Sequence, residues 1–559
     1  MGDTDLEPEV GAASRTSAPR APGPAATADG SGPPAAAGAD AQQRLAAAVA
    51  TGSLWDLLAA RADASPDAPA LLTDDRCLTF GELRDDAERA ARWLAALGVT
   101  PASMVSWQLP TRPSTVVLSA ALCRLGAVQN PILHLYRERE LRVAFSQLRP
   151  QLHLCPGTWG GVDFTALADE AAKGLPDRPR TVVVDADLAD LAAGPGPELP
   201  APPPPTAVDE VRWVYYTSGT TAEPKGVRHS DRTLIAGGVG LARALDLSPD
   251  DIGSIAFPFA HIAGPDYLIM MLTVGFPSVL LERFVPEQAV ATLRRHRATM
   301  AGGSTAFYQA YLAEQRKQPG VPLLPSLRLL SGGGAPMPPS LFHQLSEEMG
   351  VRAVHGYGMT EVPMIAMGRP GDTDEQLANT VGRPVDGCEV RIVTAEGTQA
   401  PPGVDGEVRV RGPMVCLGYT DAQLTAEAFD AEGYFRTGDI GHFRPDGHLV
   451  LTGRLKDIII RKGENISAKE IEDLLYAMPQ VGDVAVIGLP DPERGERVCA
   501  VVEPAPGQPP LRFEEMVEHL RAAGLMPQKI PEQLEVVDRL PRSETLQKVR
   551  KDELRRRFG

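Results

Sequence analysis

Between Val214 and Gly226 the sequence runs Val-Tyr-Tyr-Thr-Ser-Gly-Thr-Thr-Ala-Glu-Pro-Lys-Gly, a β-like stretch passing into hydroxyls, glycine and one lysine. Short hydroxyls at Thr217, Ser218, Thr220 and Thr221, free backbone N–H groups around Gly219 and the ammonium of Lys225 are donors that suit a polyphosphate. Gly219 and Lys225 even have the separation of the GxxxxGK[ST] phosphate loop. Pro224, however, stands where that loop needs its second glycine, and Gly226 where it needs a Mg²⁺-binding hydroxyl, so this is a different phosphate loop. Downstream, Ser331-Gly332-Gly333-Gly334-Ala335-Pro336 permits close backbone approach, and Gly356-Tyr357-Gly358-Met359-Thr360-Glu361 offers an aromatic face, a hydroxyl and a carboxylate. Asp439, an acceptor when ionised, suits a pair of hydroxyls, and Arg454 adds donors. Each of these taken singly is equally compatible with packing, turn geometry or an Asp–Arg surface pair. A GxSxG elbow and a plausible Cys/His pair are both missing, so the pattern offers phosphate chemistry without a protein nucleophile.

The elements that must hold these motifs read as layered α/β. Thr79-Phe80-Gly81-Glu82 is a capping box, Leu83, Ala87, Ala90, Leu94 and Leu97 recur at helical spacing, and Gly98 supplies the stop. Helical stretches at 116–125 and 140–148 alternate with short apolar runs such as Thr181 to Val184. Gly194 to Pro205 is a proline-rich surface connection. From Val211 the short Gly-containing motifs fall where open α/β sheets place ligands, at strand ends. Beyond Gly453 the character changes. Ser467-Ala468-Lys469-Glu470 reads as a second capping box, and 484–489 and 498–502 as paired strands. The expected architecture is a disordered Ala/Pro/Gly-rich arm over 1–50, a large multi-subdomain α/β N-terminal domain over 51–455 and a small mobile α+β C-terminal domain over 456–559.

Composition excludes several classes. The 559 residues hold 55 Lys+Arg against 72 Asp+Glu, a formal charge of −17, which disfavours nucleic acid and anionic membrane as partners. Six scattered cysteines without a CxxC pair argue against a disulfide framework or structural zinc and fit a reducing cytoplasm. No apolar window is long enough for a membrane span. The early acids Asp3, Asp5, Glu7 and Glu9 count against a transit peptide. A homodimer is compatible with the sequence, which does not fix the oligomeric state.

Taken in order, the Val214–Gly226 loop, the Gly332 and Tyr357 motifs, Gly433-Tyr434-Phe435-Arg436-Thr437-Gly438-Asp439, Gly453-Arg454-Leu455-Lys456-Asp457 and Arg461-Lys462-Gly463-Glu464-Asn465-Ile466 resemble the motifs of the adenylate-forming superfamily. That superfamily comprises acyl-CoA synthetases, peptide-synthetase adenylation domains and beetle-type luciferases; the resemblance runs from about Leu54 to Arg555. It implies that Thr217, Ser218, Gly219, Thr220, Thr221 and Lys225 close over the β- and γ-phosphates of ATP. It also implies that Gly332, Gly333, Gly334, Tyr357 and Gly358 surround adenine, that Thr360 contacts phosphate, that Glu361 holds Mg²⁺, and that Asp439 and Arg454 bind the nucleotide. Lys456 would be the hinge about which the C-terminal domain turns between two half-reactions, and Gly463 would line the path of the coenzyme A pantetheine, with Arg461 or Lys462 exposed to the CoA phosphates.

Two departures stand out. Ala222 replaces a usual glycine, and in the C-terminal lysine motif, which runs from Pro541 to Lys551, Gln547 replaces Gly while Lys548 lies one residue further from Pro541 than usual. The resemblance assigns Lys548 to the carboxylate and α-phosphate during adenylation. Phe257 to Gly264 is similar to the acyl-pocket entrance of fatty and aryl acyl-CoA synthetases, which makes His261 a pocket or gating residue or else a hydrogen-bonded core histidine. Small residues at Gly302, Gly303, Ser304 and Gly332 to Gly334 are expected to leave room for a bulky apolar group. The acid that pairs with the substrate ammonium in amino-acid-activating relatives has no close equivalent here, although Asp266 lies near its place. The Ser331–Pro336 and 524–531 regions look most like medium-chain and cyclohexanecarboxylate-type enzymes. The expected activity is therefore an ATP-dependent CoA ligase for a medium-chain, alicyclic or related apolar carboxylic acid. Loading of a carrier protein, or a catalytically impaired nucleotide- or acyl-binding protein, remain alternatives.

Overall fold

The computed structural model describes residues 35–184, 197–204, 207–217, 224–461, 464–542 and 549–559. Its first element corrects the expected disordered arm over 1–50. Ala35–Thr51 is helical, and Leu45 and Ala48 are buried in the main core. The run holds few large apolar side chains, but alanine has the highest helix propensity of any residue, and two or three apolar contacts on one face are enough to dock it. Residues 1–34 lie outside the described residues.

Thr79 does form the reciprocal capping box with Glu82, starting the helix Phe80–Ala96, and the chain leaves it through Gly98 at φ 92°. This helix packs on Pro113–Leu125, which in turn contacts Val128–Pro131 of a six-stranded sheet ordered Lys225–His229, Trp213–Thr217, Val128–Pro131, Met104–Trp107, Leu152–Cys155 and Arg180–Val183. The sheet is parallel apart from the Trp213–Thr217/Lys225–His229 hairpin at its edge. A second, five-stranded sheet runs Met300–Gly303, Leu329–Gly332, Arg352–Met359, Val362–Met367, Arg383–Pro384. Its first three strands are parallel, and the chain then reverses at Thr360-Glu361. Packing of the helices Asp231–Ala244 and Ala263–Val274 against each other is close enough that a Cβ on Gly238 would meet Ile269 at 2.7 Å.

An antiparallel sheet of Glu389–Val393, Gly406–Arg411, Phe435–Phe443 and Leu449–Arg454 closes the large unit. One 3₁₀ turn, Leu455–Asp457, then leads into the small α+β unit. Its sheet pairs Val481–Asp491 with Gly495–Pro504, as expected, in an antiparallel register with Val484 opposite Val502, around a core of its own that includes Ile471, Val486 and Leu520. Ser467 caps the helix Ala468–Leu475, but the Glu470 carboxylate pairs with Lys529 instead of returning to the cap. A long lysine reaching from another element competes with the local bond the box would need. Among the described residues no helix is long and apolar enough to cross a membrane.

Candidate active site

The loop after Trp213–Thr217 joins two antiparallel strands, with Lys225 directly opposite Thr217. A GxxxxGK[ST] loop opens a helix, so the topology agrees with the sequence in setting that cradle aside. Thr217 and Lys225 form the base of the loop; Ser218, Gly219, Thr220 and Thr221 lie outside the described residues.

Strand Lys225–His229 is held on its other side by the segment 416–420. Arg228 N–H donates to the Gly418 carbonyl at 2.9 Å, and Thr420 N–H to the Gly226 carbonyl at 2.7 Å. The same segment grips the Thr360-Glu361 turn, with Cys416 N–H donating to the Glu361 carbonyl at 2.8 Å. The Tyr419 hydroxyl donates to Glu361 Oε1 at 2.8 Å, while the ammonium of Lys225 lies 5.5 Å from the centroid of the same ring. Glu361 is buried, and burial raises its pKa despite the Tyr419 hydrogen bond and the positive charge of Lys225. Beneath the turn, His229 Nε2–H donates to the Thr360 carbonyl at 2.7 Å and Nδ1 meets the Thr233 hydroxyl at 2.8 Å. Since a carbonyl only accepts, the tautomer is fixed, and burial pushes the ring down to about 4, keeping it neutral.

Some 80 residues along, a second corner forms. The Tyr357 hydroxyl donates to Asp439 Oδ2 at 2.5 Å, and Arg454 Nε pairs with Asp439 Oδ1 at 2.9 Å. Tyr357 and Asp439 are buried and Arg454 is half-buried. Burial and the Asp439 charge raise the tyrosine well above its ordinary range. For Arg454 the burial cost is outweighed by Asp439, Asp457 and Tyr357, so its pKa rises. A neutral histidine again lies below: His355 Nε2–H donates to the Ala335 carbonyl at 2.7 Å, and burial lowers the ring to about 4. The expected Tyr357, Asp439 and Arg454 are thus brought together. Gly358 completes the turn, where a Cβ would lie 2.2 Å from the Pro363 carbonyl oxygen.

The glycines do not provide the expected room. A Cβ on Gly302 would lie 1.9 Å from the Ser331 carbonyl oxygen, on Gly332 2.1 Å from that of Gly303, on Gly333 2.7 Å from that of Gly356, and on Gly303 2.9 Å from the Phe307 ring. The missing side chains let neighbouring strands and an aromatic ring close in; only Gly334 faces open space. His261 is half-buried, with Nδ1 accepting the Ala263 N–H at 3.2 Å where the helix Ala263–Val274 begins. Asp266 follows in that helix's first turn, fully buried with no partner for Oδ1, and burial raises its pKa strongly. A carboxyl sealed in the core is not presented to an ammonium, which leaves no counterpart of that acid at Asp266. Lys456 sits in the 3₁₀ turn between the two units. Arg461, expected free for CoA phosphates, is paired with Glu532 at 2.5 Å. Lys462, Gly463 and Lys548 lie outside the described residues. The ends of the Lys548 loop are nonetheless close, since Arg542 bridges Val549 and Arg550 N–H donates to the Pro541 carbonyl at 2.7 Å.

Comparison with known proteins agrees with this geometry. Residues 58–420 match the AMP-binding enzyme family and residues 470–546 the AMP-binding enzyme C-terminal domain. The chain belongs to the AMP-binding enzyme family. It is 31% identical to the medium-chain fatty-acid–CoA ligase of Escherichia coli K12, over 90% of this chain and 91% of that one. It is 32% identical to the salicyl-AMP ligase/salicyl-S-ArCP synthetase of Mycobacterium tuberculosis, over 83% and 82%. Among solved structures, ATP-bound MatB from Rhodopseudomonas palustris superposes with a TM-score of 0.80 at 29% identity, covering 90% of this chain and 99% of that one. The protein is thus an acid–thiol ligase of the AMP-forming type, with the adenylate-forming fold expected from the sequence. Within the family site, Tyr419 and His229 are contacts that sequence reasoning missed. His229 closes the strand that starts at Lys225, and its position four residues after the lysine was the available signal; Tyr419 gave none.

Proposed function

We propose that this enzyme activates an apolar carboxylic acid, medium-chain, alicyclic or aromatic, as its acyl adenylate and transfers the acyl group to coenzyme A. In the first half-reaction a carboxylate oxygen attacks the α-phosphorus of ATP and pyrophosphate leaves; in the second the CoA sulfur attacks the acyl carbonyl and AMP leaves. The observation that carries the reading is the pairing of Lys225 and Glu361 on one tyrosine at the mouth of the hydroxyl-rich loop. An ammonium there neutralises the β- and γ-phosphates, and the Thr217 hydroxyl at the loop base adds a donor. Glu361 fits Mg²⁺. It is a buried carboxylate whose hard oxygens suit Mg²⁺, and it would hold the ion as one protein ligand beside phosphate oxygens and water. When bound, Mg²⁺ neutralises charge accumulating on the phosphates. Asp439 would accept from the ribose hydroxyls, with Arg454 and Tyr357 fixing its orientation, and Lys456 would be the pivot. Phe307, against Gly303, and Phe284, against Phe307, both partly buried, support an apolar acyl group.

A second reading, transfer to carrier-protein pantetheine, is favoured by the similarity to the salicyl-AMP ligase. Pyrophosphate release, measured over a panel of acids with and without CoA, tests both. Release that depends on an apolar acid, quickened by CoA and yielding its thioester, is the expected result; adenylate accumulation without turnover of free CoA would select the carrier protein.

A further inference from the structure

An ammonium and a buried carboxylate close enough for their charges to interact attract each other and, unhindered, would form a direct ion pair. Lys225 and Glu361 do not: no ion pair within 4.0 Å joins these two described residues, although Glu361 feels the charge of Lys225. Both touch Tyr419. Its hydroxyl end is bound to Glu361 Oε1 at 2.8 Å, and its ring is within 5.5 Å of the Lys225 ammonium. Tyr419 is 6% exposed, and its backbone is tied to its neighbours. Val227 bridges Tyr419, Thr420 N–H bonds Gly226, Tyr419 N–H donates to the Thr425 hydroxyl at 2.9 Å, and Gly226 lacks the Cβ that would strike Thr420 at 2.8 Å. A side chain with a donor at its tip and an electron-rich face can satisfy an anion and a cation at once while holding them apart.

We infer that Tyr419 is a positioning residue that acts as a spacer, keeping Glu361 and Lys225 from neutralising each other so that one stays available to the divalent cation and the other to the polyphosphate of ATP. This rests on the assignment of those two residues to MgATP given above. The spacer role separates into two parts: the hydroxyl aims the carboxylate, and the ring blocks the direct ion pair.

Equilibrium binding to the full-length protein tests both parts without turnover. Mn²⁺ bound in the presence of ATP, followed by its paramagnetic resonance signal, reports Glu361; ATP binding in EDTA, by calorimetry, reports Lys225. Tyr419→Phe is expected to weaken Mn²⁺ about tenfold, as for loss of a hydrogen bond to a charged group, with metal-free ATP affinity within about twofold of wild type. Tyr419→Leu is expected to weaken metal-free ATP binding about tenfold as well, because Lys225 falls onto Glu361. Adding Glu361→Gln to Tyr419→Leu should restore that ATP affinity, which a merely structural defect would not. Unchanged Mn²⁺ binding in Tyr419→Phe overturns the aiming role. Equal ATP affinity in Tyr419→Leu and the double variant overturns the blocking role. Should the leucine variants fail to show a cooperative melting transition, the phenylalanine result decides the aiming role, and Tyr419→Met with and without Glu361→Gln decides the blocking role by the same comparison of ATP affinities. Wild-type protein that binds no ATP would instead overturn the MgATP assignment itself.

Discussion

The two corners of the site share a foundation and differ above it. Each rests on a buried neutral histidine donating Nε2–H to a carbonyl of a motif turn, His229 to Thr360 and His355 to Ala335, both at 2.7 Å. Above His355, Asp439 is already matched to Arg454 and Tyr357. Above His229, Lys225 and Glu361 are kept unmatched around Tyr419. On the proposed function this follows from the ligands. A ribose is neutral and needs only oriented acceptors, so compensating the charge of Asp439 internally costs nothing in binding. Polyphosphate and its cation bring charge of both signs, and protein charges that had cancelled beforehand would have to be separated first.

The contrast predicts effects of different kinds. Removing charge from the unmatched corner should hit the chemical step: Lys225→Ala and Glu361→Gln are each expected to lower the rate of acyl-adenylate formation about 10²- to 10³-fold in single-turnover pyrophosphate release, the scale of losing a transition-state charge contact. Losses of only a few fold would break the comparison. In the matched corner, Asp439→Asn should act on ground-state binding, raising KM for ATP about 10- to 100-fold with kcat changed a few fold at most. A kcat collapse there would assign the corner to the wrong function.

The common foundation is tested by pH. His229 and His355 are held at about 4 by burial, below the ordinary imidazole value of about 6.5. Between those values the unfolded chain binds more protons than the folded one, so stability is greatest above about pH 6.5 and falls as pH drops toward 4. Urea midpoints should therefore be lower at pH 5 than at pH 7.5. His229→Gln and His355→Gln, which keep an amide donor, should each flatten the dependence; a slope unchanged in both would remove the histidines as its origin. The smallest effect is expected for Tyr357→Phe, which loses one donor to Asp439 while Arg454 keeps the pairing. KM for ATP should rise a few fold, matching about 1 kcal/mol.

Local chemistry was what the sequence displayed best. The Thr79–Glu82 box, the helical repeat it opens and the strand pair 484–489 with 498–502 depend on neighbours a few residues away or on plain apolar patterning, and the structure has them in place. The Ala35–Thr51 helix was obscured because its stability comes from propensity and a narrow docking face, not from large side chains. At the site, Tyr357, Asp439 and Arg454 stand in recognisable motifs although 82 residues separate the first two. Tyr419 is 58 residues from Glu361 and 194 from Lys225, and an isolated tyrosine announces no partner until the fold supplies it. The glycines misled for a related reason: absence of a side chain looks alike in sequence whether the space holds ligand or a neighbouring strand.

That last distinction bears on how the enzyme's acid preference can be changed. Libraries that randomise Gly302 or Gly332 would spend most of their members on chains whose strands cannot pair, since any Cβ there would lie about 2 Å from a carbonyl oxygen. On the proposed acyl pocket, diversity is better directed to Phe307 and His261, whose side chains can change while the sheet behind them stays intact; Gly334 faces open space but holds φ 80°, where any side chain is strained.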